Sequence, residues 1–498
     1  MLMKKENEFK KYREALSDTE ANILQDFFDS VDSHIALSRD EKALMLRDFE
    51  NALLYYVSQG VSLGDALERL SIVNLGGFYA RPPILWYPLD DSAKIYPLST
   101  KHGQMAIFRL SVYLKENIIP ELLQMALTFT IKRFPSFATT IKKGFFWHYL
   151  DAAKRRYLVE QETEMPCKPL PISKSGSQSF RVIYCNNRIS VDYFHVLTDG
   201  TGGVTFLKTL TAEYLRLLGI KAEQTEGILN INDAPKSSEI VNEFPRAEKT
   251  KKVSGFIDKP AIQYSGKLAK RRPCCVLHFK MDAGKLKSAA KAYNTTVTAY
   301  VLALMFIASK YAVDETEGDI SIQVPVNMRK FYPSETLRNF SMYCGIRFPL
   351  CDINDIPSML EKIAQQLSQK ASKEAMSEMM NAAEKMVNAL RYIPLAVKTP
   401  VVRIVYGFLG DRIFSNILTN LGVVKMPEEL SKHILSMDFV LGAAIMNRAS
   451  CAMVTFENTT TLSITKMTVD PSFEERLYDL LNEAGIPVAV EGSALYEN

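Results

Sequence analysis

A charged, proline-interrupted stretch in the middle of the chain most limits how the chain can fold. Residues 221–272 contain few large apolar side chains, and Pro235, Pro245 and Pro260 interrupt any regular element there. On either side, strand-like and helix-like apolar patterns follow one another in a similar order. The whole chain has 498 residues, which is more than one ordinary hydrophobic core supports. The sequence therefore predicts an α+β protein with two lobes joined by a linker.

The first part of the chain predicts helices without strands. Ser38 and Glu41 have the spacing of a capping box ahead of an apolar-periodic segment, and Ser62 precedes another helical segment. We interpret this part as a packing extension or a partner surface. The predicted boundaries are a helical extension over 1–78, a first lobe over 79–225, a linker over 226–272 and a second lobe over 273–498.

Several local patterns predict elements within the lobes. Asn186 and Asn187 separate two apolar strands and predict a hairpin, because Asn tolerates a positive φ. A second hairpin is predicted around Asn458, and GFFWHYL predicts another strand. One long helical stretch is predicted from about Pro357 to Leu390.

Composition argues against several classes of function. Apolar residues make up 47% of the chain, which is typical of a globular protein, and a net charge of +4 on a chain of this length gives no argument for binding nucleic acid or a membrane. The basic run KLAKRR at 267–272 is interpreted as part of a solvated linker. The apolar run from Val297 to Ile307 is about half the length of a membrane span, so we expect a buried helix and no transmembrane segment. The charged N-terminus does not resemble a signal peptide, and we expect a cytoplasmic protein.

The cysteine and histidine patterns predict no metal site. The seven cysteines are odd in number and contain no CxxC pair, and the Cys275 to His278 spacing has no second ligand pair. The side chain of His148 is interpreted as a core residue, and Cys344 lacks a neighbouring histidine that would make it a nucleophile. The remaining histidines show no metal-ligand spacing: His34, His102 and His433.

The stretch from Tyr193 to Leu210, YFHVLTDGTGGVTFLKTL, carries the main candidate for chemistry. An apolar strand ends at His195, and a helix is predicted to begin near Gly203 after a glycine-rich turn. A neutral imidazole in such a turn can act as a general base near pH 7. A structural histidine or a phosphate-binding turn are the alternatives, although Thr205 stands where a dinucleotide fingerprint needs its third glycine. The six-residue pattern arises by chance in roughly one of every twenty-five proteins of this size, so context decides its weight.

That context resembles the CoA-dependent acyltransferase superfamily. HVLTDG after a strand and before a helix resembles the family's HxxxDG motif, which chloramphenicol acetyltransferase and peptide-synthetase condensation domains share. Residues 324–348 and 418–430 resemble the family's second-lobe segments, and LDDSAKIYPLS and RFPSFATTIKKGFFW resemble its bacterial alcohol acetyltransferase-like branch. These segments span residues 80 to 480 in the family's order.

The resemblance implies a fold and a set of roles. The fold would be two chloramphenicol-acetyltransferase-like lobes of mixed sheets and helices, with an active-site channel between them. His195 would be the general base, Asp199 a structural carboxylate paired with Arg329, and Gly200 a position that leaves room at the channel. Asn420 and Tyr343 are candidates for the channel wall or for stabilising the oxyanion. Acyl-CoA would be a co-substrate, with no permanently bound cofactor and no metal.

The implied activity is transfer of an acetyl or other acyl group from CoA to the hydroxyl of a small-molecule alcohol, without an acyl-enzyme. The alternatives are N- or O-acyl transfer from a carrier-bound thioester and a non-catalytic protein that keeps the fold. The chain departs from the family in two places. Phe194 stands where many relatives have a second histidine, and the DFGWG motif of the plant enzymes is absent.

Overall fold

The computed structural model describes residues 2–77, 86–94, 96–99, 106–152, 155–170, 177–223, 227–249, 258–400, 411–443, 447–493 and 496. Its α-helices in these ranges are α1 Leu2–Glu14, α2 Asp18–His34, α3 Arg39–Ser58, α4 Leu63–Arg69, α5 Tyr96–Ser99, α6 Pro120–Thr130, α7 Gly200–Leu217, α8 Ala283–Ala292, α9 Val297–Tyr311, α10 Ile356–Lys370, α11 Lys373–Ala389, α12 Glu428–Ser431 and α13 Ser472–Glu483.

The strands of the same ranges are β1 Trp86–Pro88, β2 Ile107–Leu114, β3 Thr139–Lys143, β4 His148–Ala152, β5 Val159–Gln161, β6 Ser177–Gln178, β7 Phe180–Cys185, β8 Arg188–Phe194, β9 Cys275–Asp282, β10 Asp319–Asn327, β11 Ser341–Pro349, β12 Asn416–Val424, β13 Ile434–Leu441, β14 Ala449–Phe456, β15 Thr459–Lys466 and β16 Val488–Gly492. Both predicted hairpins are present, with positive φ at Asn186 in the first turn and at Glu457 in the second.

The described strands form three sheets. The first half of the chain supplies a small sheet in the order β1-β4-β3-β6 and most of a larger one in the order β13-β2-β8-β7-β5. The second half forms the sheet β11-β10-β12-β14-β15-β9-β16, which mixes parallel and antiparallel neighbours. Two hydrophobic clusters accompany these sheets. The first combines the first half with second-half residues such as Phe439 of β13, and the second lies within the second half and the preceding linker. The expected α+β fold with two lobes is therefore confirmed.

One strand crosses between the two halves. Strand β13 pairs antiparallel with β2 along the register from Ile434 opposite Leu114 to Leu441 opposite Phe108. A division of the chain at residue 272 therefore does not account for β13, which completes the sheet of the first lobe. Long-range strand pairing of this kind depends on tertiary contacts that local patterns do not encode.

The N-terminal helices pack on the first lobe. Tyr56 of α3 is buried and donates its hydroxyl to the carbonyl of Leu217 at 2.7 Å, and Phe49 contacts the edge of Phe129. The capping box predicted for Ser38 and Glu41 is wrong. Ser38 is the N-cap residue but makes no side-chain capping bond, and the Glu41 carboxylate accepts the backbone N–H of a distant residue, Arg156.

Two other sequence predictions need correction, and one strand was not predicted. The strand predicted over GFFWHYL begins only at β4. The residues before it form a turn, in which the N–H of Gly144 donates to the carbonyl of Trp147. The long helical stretch is two helices, because Ser372 caps α11 by accepting the N–H of Ala375. The strand β16 near the C-terminus was not predicted; it pairs with β9.

Part of the predicted linker is packed between the lobes. Glu239 is buried and binds Arg133 of the first lobe through two bonds of 2.6 and 2.7 Å. The carbonyl of Glu239 also accepts the N–H of Leu337 from the second lobe at 2.8 Å. Isolated charges are costly to bury, so this ion pair explains how a charged segment can lie inside the protein.

The apolar helix α9 is buried in the second lobe, as predicted for residues 297–307. Among the described helices, none alone has the length and apolar character needed to cross a membrane; α8 and α9 meet those criteria only together and lie at 83° to each other.

Candidate functional site

His195 directly follows strand β8 and lies where the two halves of the chain meet. The strand ends at Phe194, and the backbone N–H of His195 continues the ladder by donating to the carbonyl of Ala106 at 2.8 Å. The ring of Phe108 contacts both Tyr193 and His195, so these two side chains share a face of the sheet. The strand-end position predicted for His195 is therefore present.

Two aromatic rings hold the imidazole of His195. Tyr96 stacks on it with ring centroids 5.2 Å apart and planes inclined by 27°, and Phe108 meets it edge-on at 5.3 Å and 65°. The Nδ1 atom is sealed from solvent and makes no hydrogen bond within the described part of the chain. His195 as a whole is only partly buried and keeps some accessible surface.

The surroundings of His195 favour its neutral form. Burial lowers the pKa of His195, while the carboxylate of Asp199 and the histidine's own backbone carbonyl oppose this shift. A neutral imidazole can accept a proton, which an imidazolium cannot. The site therefore has the electrostatic character of a general base near pH 7.

Asp199 caps the helix that follows. Its Oδ1 accepts the backbone N–H groups of Thr201 and Gly202 at 3.0 and 3.2 Å, so α7 begins at Gly200 rather than near Gly203 as predicted. A carboxylate is favoured here because the first N–H groups of a helix have no partner within the helix. The aspartate therefore sets where the strand-to-helix turn ends.

Arg329 is the ion-pair partner of Asp199. Its Nη1 lies 2.7 Å from Asp199 Oδ2, which also accepts the backbone N–H of Phe340 at 2.8 Å. The remaining guanidinium donors bind the carbonyls of Thr336 and Arg338. The structure thus brings together Asp199 and Arg329 as the sequence predicts, and it joins the turn after β8 to the loop before β11.

The glycines after Asp199 allow close contact with the second lobe. A Cβ on Gly200 would lie 2.4 Å from Cδ2 of Leu421, and one on Gly202 would lie 2.2 Å from the carbonyl oxygen of Leu337. Thr198 strengthens the second contact by donating its hydroxyl to the same carbonyl at 2.6 Å. The absence of side chains therefore lets the turn and the loops of the second lobe meet directly.

Asn420 and Tyr343 both lie on strands of the second lobe. Asn420 donates from Nδ2 to Thr298 Oγ1 at 2.9 Å and accepts the N–H of Gly422, so its amide is engaged within its own lobe. The ring of Tyr343 contacts Phe414, and burial raises the pKa of its hydroxyl, next to the field of Tyr96. Tyr343 is thus the one of these two that lies near the residues around His195.

The weaker sequence candidates lie elsewhere or lack reactive character. His148 is buried in β4, and His278 bonds Ser463 at 2.9 Å. Burial raises the pKa of Cys344 to about 11, which keeps its thiol protonated. His34 donates from Nε2 to the carbonyl of Gly76 at 3.2 Å. His102 lies outside the described residues, and within them no three His, Cys, Asp or Glu side chains are grouped as metal ligands would be.

A cleft of about 970 Å³ lies between the N-terminal helices and α7. Its walls include Arg69, Arg216 and Lys221, but neither His195 nor Asp199. The cleft is therefore separate from the histidine that carries the candidate chemistry.

Sequence reasoning missed Tyr96 and Asn339. Tyr96 hydrogen-bonds to Asn339, whose amide also reaches Ser92 at 3.3 Å. Both residues stand in segments that resemble the acyltransferase family, but no spacing in the sequence relates either of them to His195. Only the folded chain brings residues 96, 195 and 339 together.

Comparison with solved structures identifies the fold. No protein-family model and no curated protein matches the chain. The trichothecene 15-O-acetyltransferase TRI3 from Fusarium sporotrichioides is similar at a TM-score of 0.54 and 12% identity, over 81% of this chain and 98% of that one. TRI101 of F. graminearum, complexed with coenzyme A and T-2 mycotoxin, is similar at a TM-score of 0.56 and 8% identity, over 81% of this chain and 100% of the other.

A condensation domain has the same architecture. The first condensation domain of the calcium-dependent antibiotic synthetase is similar at a TM-score of 0.52 and 12% identity, over 82% of this chain and 100% of that domain. Identities this low establish a shared fold and no shared activity. The chain therefore has the two-lobed fold of CoA-dependent acyltransferases and condensation domains.

Proposed function

We propose that this protein is an O-acyltransferase that moves an acyl group from a CoA thioester to an alcohol, with His195 as the general base. The observation that carries the proposal is the position of His195. His195 lies at the end of β8 and is only partly buried, and the following turn is held by the Asp199–Arg329 ion pair. The fold likeness to an O-acetyltransferase supports this proposal.

In the proposed reaction, Nε2 of His195 takes the proton of the alcohol hydroxyl. The alkoxide oxygen then bonds to the thioester carbonyl carbon, which gives a tetrahedral oxyanion. Collapse of this intermediate breaks the carbon–sulfur bond, and the imidazolium returns its proton to the leaving thiolate. The products are an ester and free CoA, and the histidine is regenerated without an acyl-enzyme.

Asp199 supports the base without touching the substrate. Its four hydrogen bonds go to Arg329 and to the backbone of Thr201, Gly202 and Phe340. These bonds fix the conformation of the turn and occupy the carboxylate. Its charge therefore acts on His195 only through space, by electrostatic interaction. We propose that Asp199 and Arg329 are structural residues. We propose that Gly200, which has no side chain, allows the second lobe to pack next to the turn.

The donor that stabilises the oxyanion is proposed from the second lobe. Tyr343 is the stronger of the two sequence candidates, because its hydroxyl stays protonated and lies near Tyr96, whereas the amide of Asn420 is engaged by Thr298 and Gly422. A protonated phenol is a suitable hydrogen-bond donor to a developing oxyanion. Removal of the hydroxyl in Tyr343→Phe should lower kcat more than it changes KM.

A carrier-bound thioester is the alternative donor. The likeness to a condensation domain is the observation that favours it, because the covered lengths and TM-scores of the two kinds of neighbour are nearly equal. In both cases the same histidine would act on the acceptor, so the two proposals differ in the donor.

The test is release of free thiol from acetyl-CoA in the presence of short-chain, aromatic and long-chain alcohols. We expect alcohol-dependent release by the wild type and loss of it in His195→Ala. His433→Ala is the matched control, because that histidine precedes β13 and its backbone carbonyl accepts the N–H of Lys115. Undiminished release by a folded His195→Ala protein would rule out the proposed base. If the wild type releases no thiol with any alcohol, a carrier-bound donor or an amine acceptor becomes the better proposal.

A further inference from the structure

A buried strap of the first lobe crosses the candidate site. The strap comprises residues 88–98 apart from position 95. Asp90 of the strap is fully buried and forms an ion pair with Arg338 at 3.0 Å, and Ser92 accepts a bond from Asn339. The strap is thereby fastened to the loop of the second lobe that leads into β11.

The strap places the ring of Tyr96 flat against the imidazole of His195. The ring centroids of Tyr96 and His195 are 5.2 Å apart and the ring planes are inclined by 27°. Phe108 contacts the imidazole in an edge-on geometry. Stacked aromatic contacts of this kind restrict ring orientation and exclude water. Two rings thus pack against the imidazole of His195, whose Nδ1 has no side-chain partner among the described residues.

The hydroxyl of Tyr96 and the carboxylate of Asp199 bind adjacent residues of the same loop. It bonds to Asn339, and the next residue, Phe340, donates its backbone N–H to Asp199 at 2.8 Å. Burial raises the pKa of Tyr96 to about 12, with Asn339 opposing the shift and the charge of Asp199 adding to it. The phenol is therefore a neutral hydrogen-bonding group that links the strap to the loop carrying Asp199.

We propose that Tyr96 is a positioning residue that sets the orientation of His195 and limits the access of water to its imidazole. This inference rests on the proposed function, because orientation matters only if the imidazole accepts a proton from a bound acceptor. Tyr96 acts through His195, and its ring does the positioning while its hydroxyl holds the ring in place.

The charged and titratable groups around His195 permit a clean test. Among the described residues, Asp199 supplies the carboxylate charge that acts on the imidazole, and Arg329 forms an ion pair with that carboxylate. The neighbouring phenols of Tyr96 and Tyr343 both have a raised pKa and stay neutral near pH 7. A change at Tyr96 therefore alters the packing and hydration of His195 without removing a charge.

The first readout is the pKa of His195 itself, measured by an NMR titration of the imidazole signals and assigned with His195→Ala. Tyr96→Leu should admit water and raise the pKa of His195 towards its ordinary value of 6.5. Tyr96→Phe keeps the ring and should leave that pKa near the wild-type value. Tyr293→Leu is the control, because Tyr293 is half exposed on the second lobe and stacks only on Tyr300.

The second readout is kinetic. In Tyr96→Leu, kcat should fall by up to about 100-fold, with KM for the alcohol changed far less, because the base is misplaced by a fraction of an ångström to an ångström. The acid limb of the pH profile should move to higher pH together with the pKa. If Tyr96→Leu does not fold, Tyr96→Met tests the same loss of the ring with an unbranched side chain of similar reach.

The two proposals fail differently. An unchanged pKa of His195 and an unchanged kcat in folded Tyr96→Leu or Tyr96→Met would overturn the positioning role, even if His195 remains essential. Full activity of His195→Ala would overturn the proposed function, whereas the titration would still decide whether Tyr96 controls the environment of the imidazole.

Discussion

Arg329 and Asp199 are 130 residues apart in the chain and 2.7 Å apart in the structure. The pair connects the turn after β8 to the loop before β11, because the guanidinium also binds two carbonyls of that loop. Among the described residues, the carboxylate of Asp199 accepts four hydrogen bonds, all from N–H groups, two in its own helix and two in the second lobe. The carboxylate therefore holds the candidate base in place by joining the lobes at this point.

Asp199→Asn and Arg329→Ala should both destabilise the protein. Asparagine would aim an amide N–H at groups that are themselves donors, and Arg329→Ala would leave a buried carboxylate without its cation. Breaking a buried pair of this kind costs about 3–5 kcal/mol, so the free energy of unfolding should fall measurably in denaturant titrations. Glu14→Gln is the control, because its ion pair with Lys10 is exposed and long, at 3.9 Å. Wild-type stability in both variants would contradict the structural role of the pair.

Gly200→Ala and Gly202→Ala should differ in severity. The new methyl group at 202 would lie 2.2 Å from a backbone carbonyl oxygen, which cannot rotate away, whereas the one at 200 meets the terminal methyl of Leu421. Overpacking costs about 1–3 kcal/mol where neighbours can adjust and more where they cannot, so Gly202→Ala should show the lower melting temperature. Gly64→Ala, which meets no atom within 4 Å, should leave the melting temperature unaffected. The reverse order for positions 200 and 202 would show that the turn is not packed as described.

The pH dependence of activity should report the buried imidazole. Because burial lowers the pKa of His195, the base stays neutral in mildly acidic solution, and kcat/KM should fall on the acid side only below pH 6.5. An acid limb centred above 6.5 would contradict a buried, neutral base.

The same shift has a consequence for stability. The unfolded chain takes up the proton first as the pH falls, so the contribution of His195 to stability is complete above its ordinary pKa of 6.5 and decreases as the pH falls towards its lower native value. His195→Gln should therefore lose less stability than the wild type between about pH 8 and about pH 5.5. Equal losses in the two proteins, measured as melting temperatures, would show that His195 does not contribute to acid destabilisation.

Glu239→Gln tests the packed part of the linker. The glutamate is buried against Arg133, and its removal would leave a buried guanidinium without its carboxylate. We expect a loss of about 3–5 kcal/mol in the free energy of unfolding, measured by denaturant titration. Glu335→Gln is the matched control, since Glu335 pairs with Lys236 at 3.7 Å with both side chains exposed, and it should leave the melting temperature as it is. A Glu239→Gln protein as stable as the control would mean that this linker contact does not stabilise the packing of the two lobes.

Local patterns in the sequence were sufficient for much of the fold. Paired apolar strands around Asn186–Asn187, and the apolar run of α9, predict structure because strand alternation and complete burial leave direct traces in residue order. The same reasoning failed at Ser38 and Glu41, because a capping box requires that no other donor compete for the glutamate, and Arg156 does so from 115 residues away. It failed again over residues 144–147, where aromatic residues form an exposed turn.

The candidate site was also predicted only in part from the sequence. The sequence by itself determined that His195 ends a strand, that Asp199 follows at the start of a glycine-rich turn, and that Arg329 is the matching cation, because the motif and its family resemblance lie in contiguous segments. Only the tertiary structure decided that Tyr96 covers the imidazole and that Asn339 anchors Tyr96. It also decided that β13 completes the sheet of the first lobe. The reason is physical: contacts between segments tens to hundreds of residues apart are set by how whole lobes pack, and no local spacing records them.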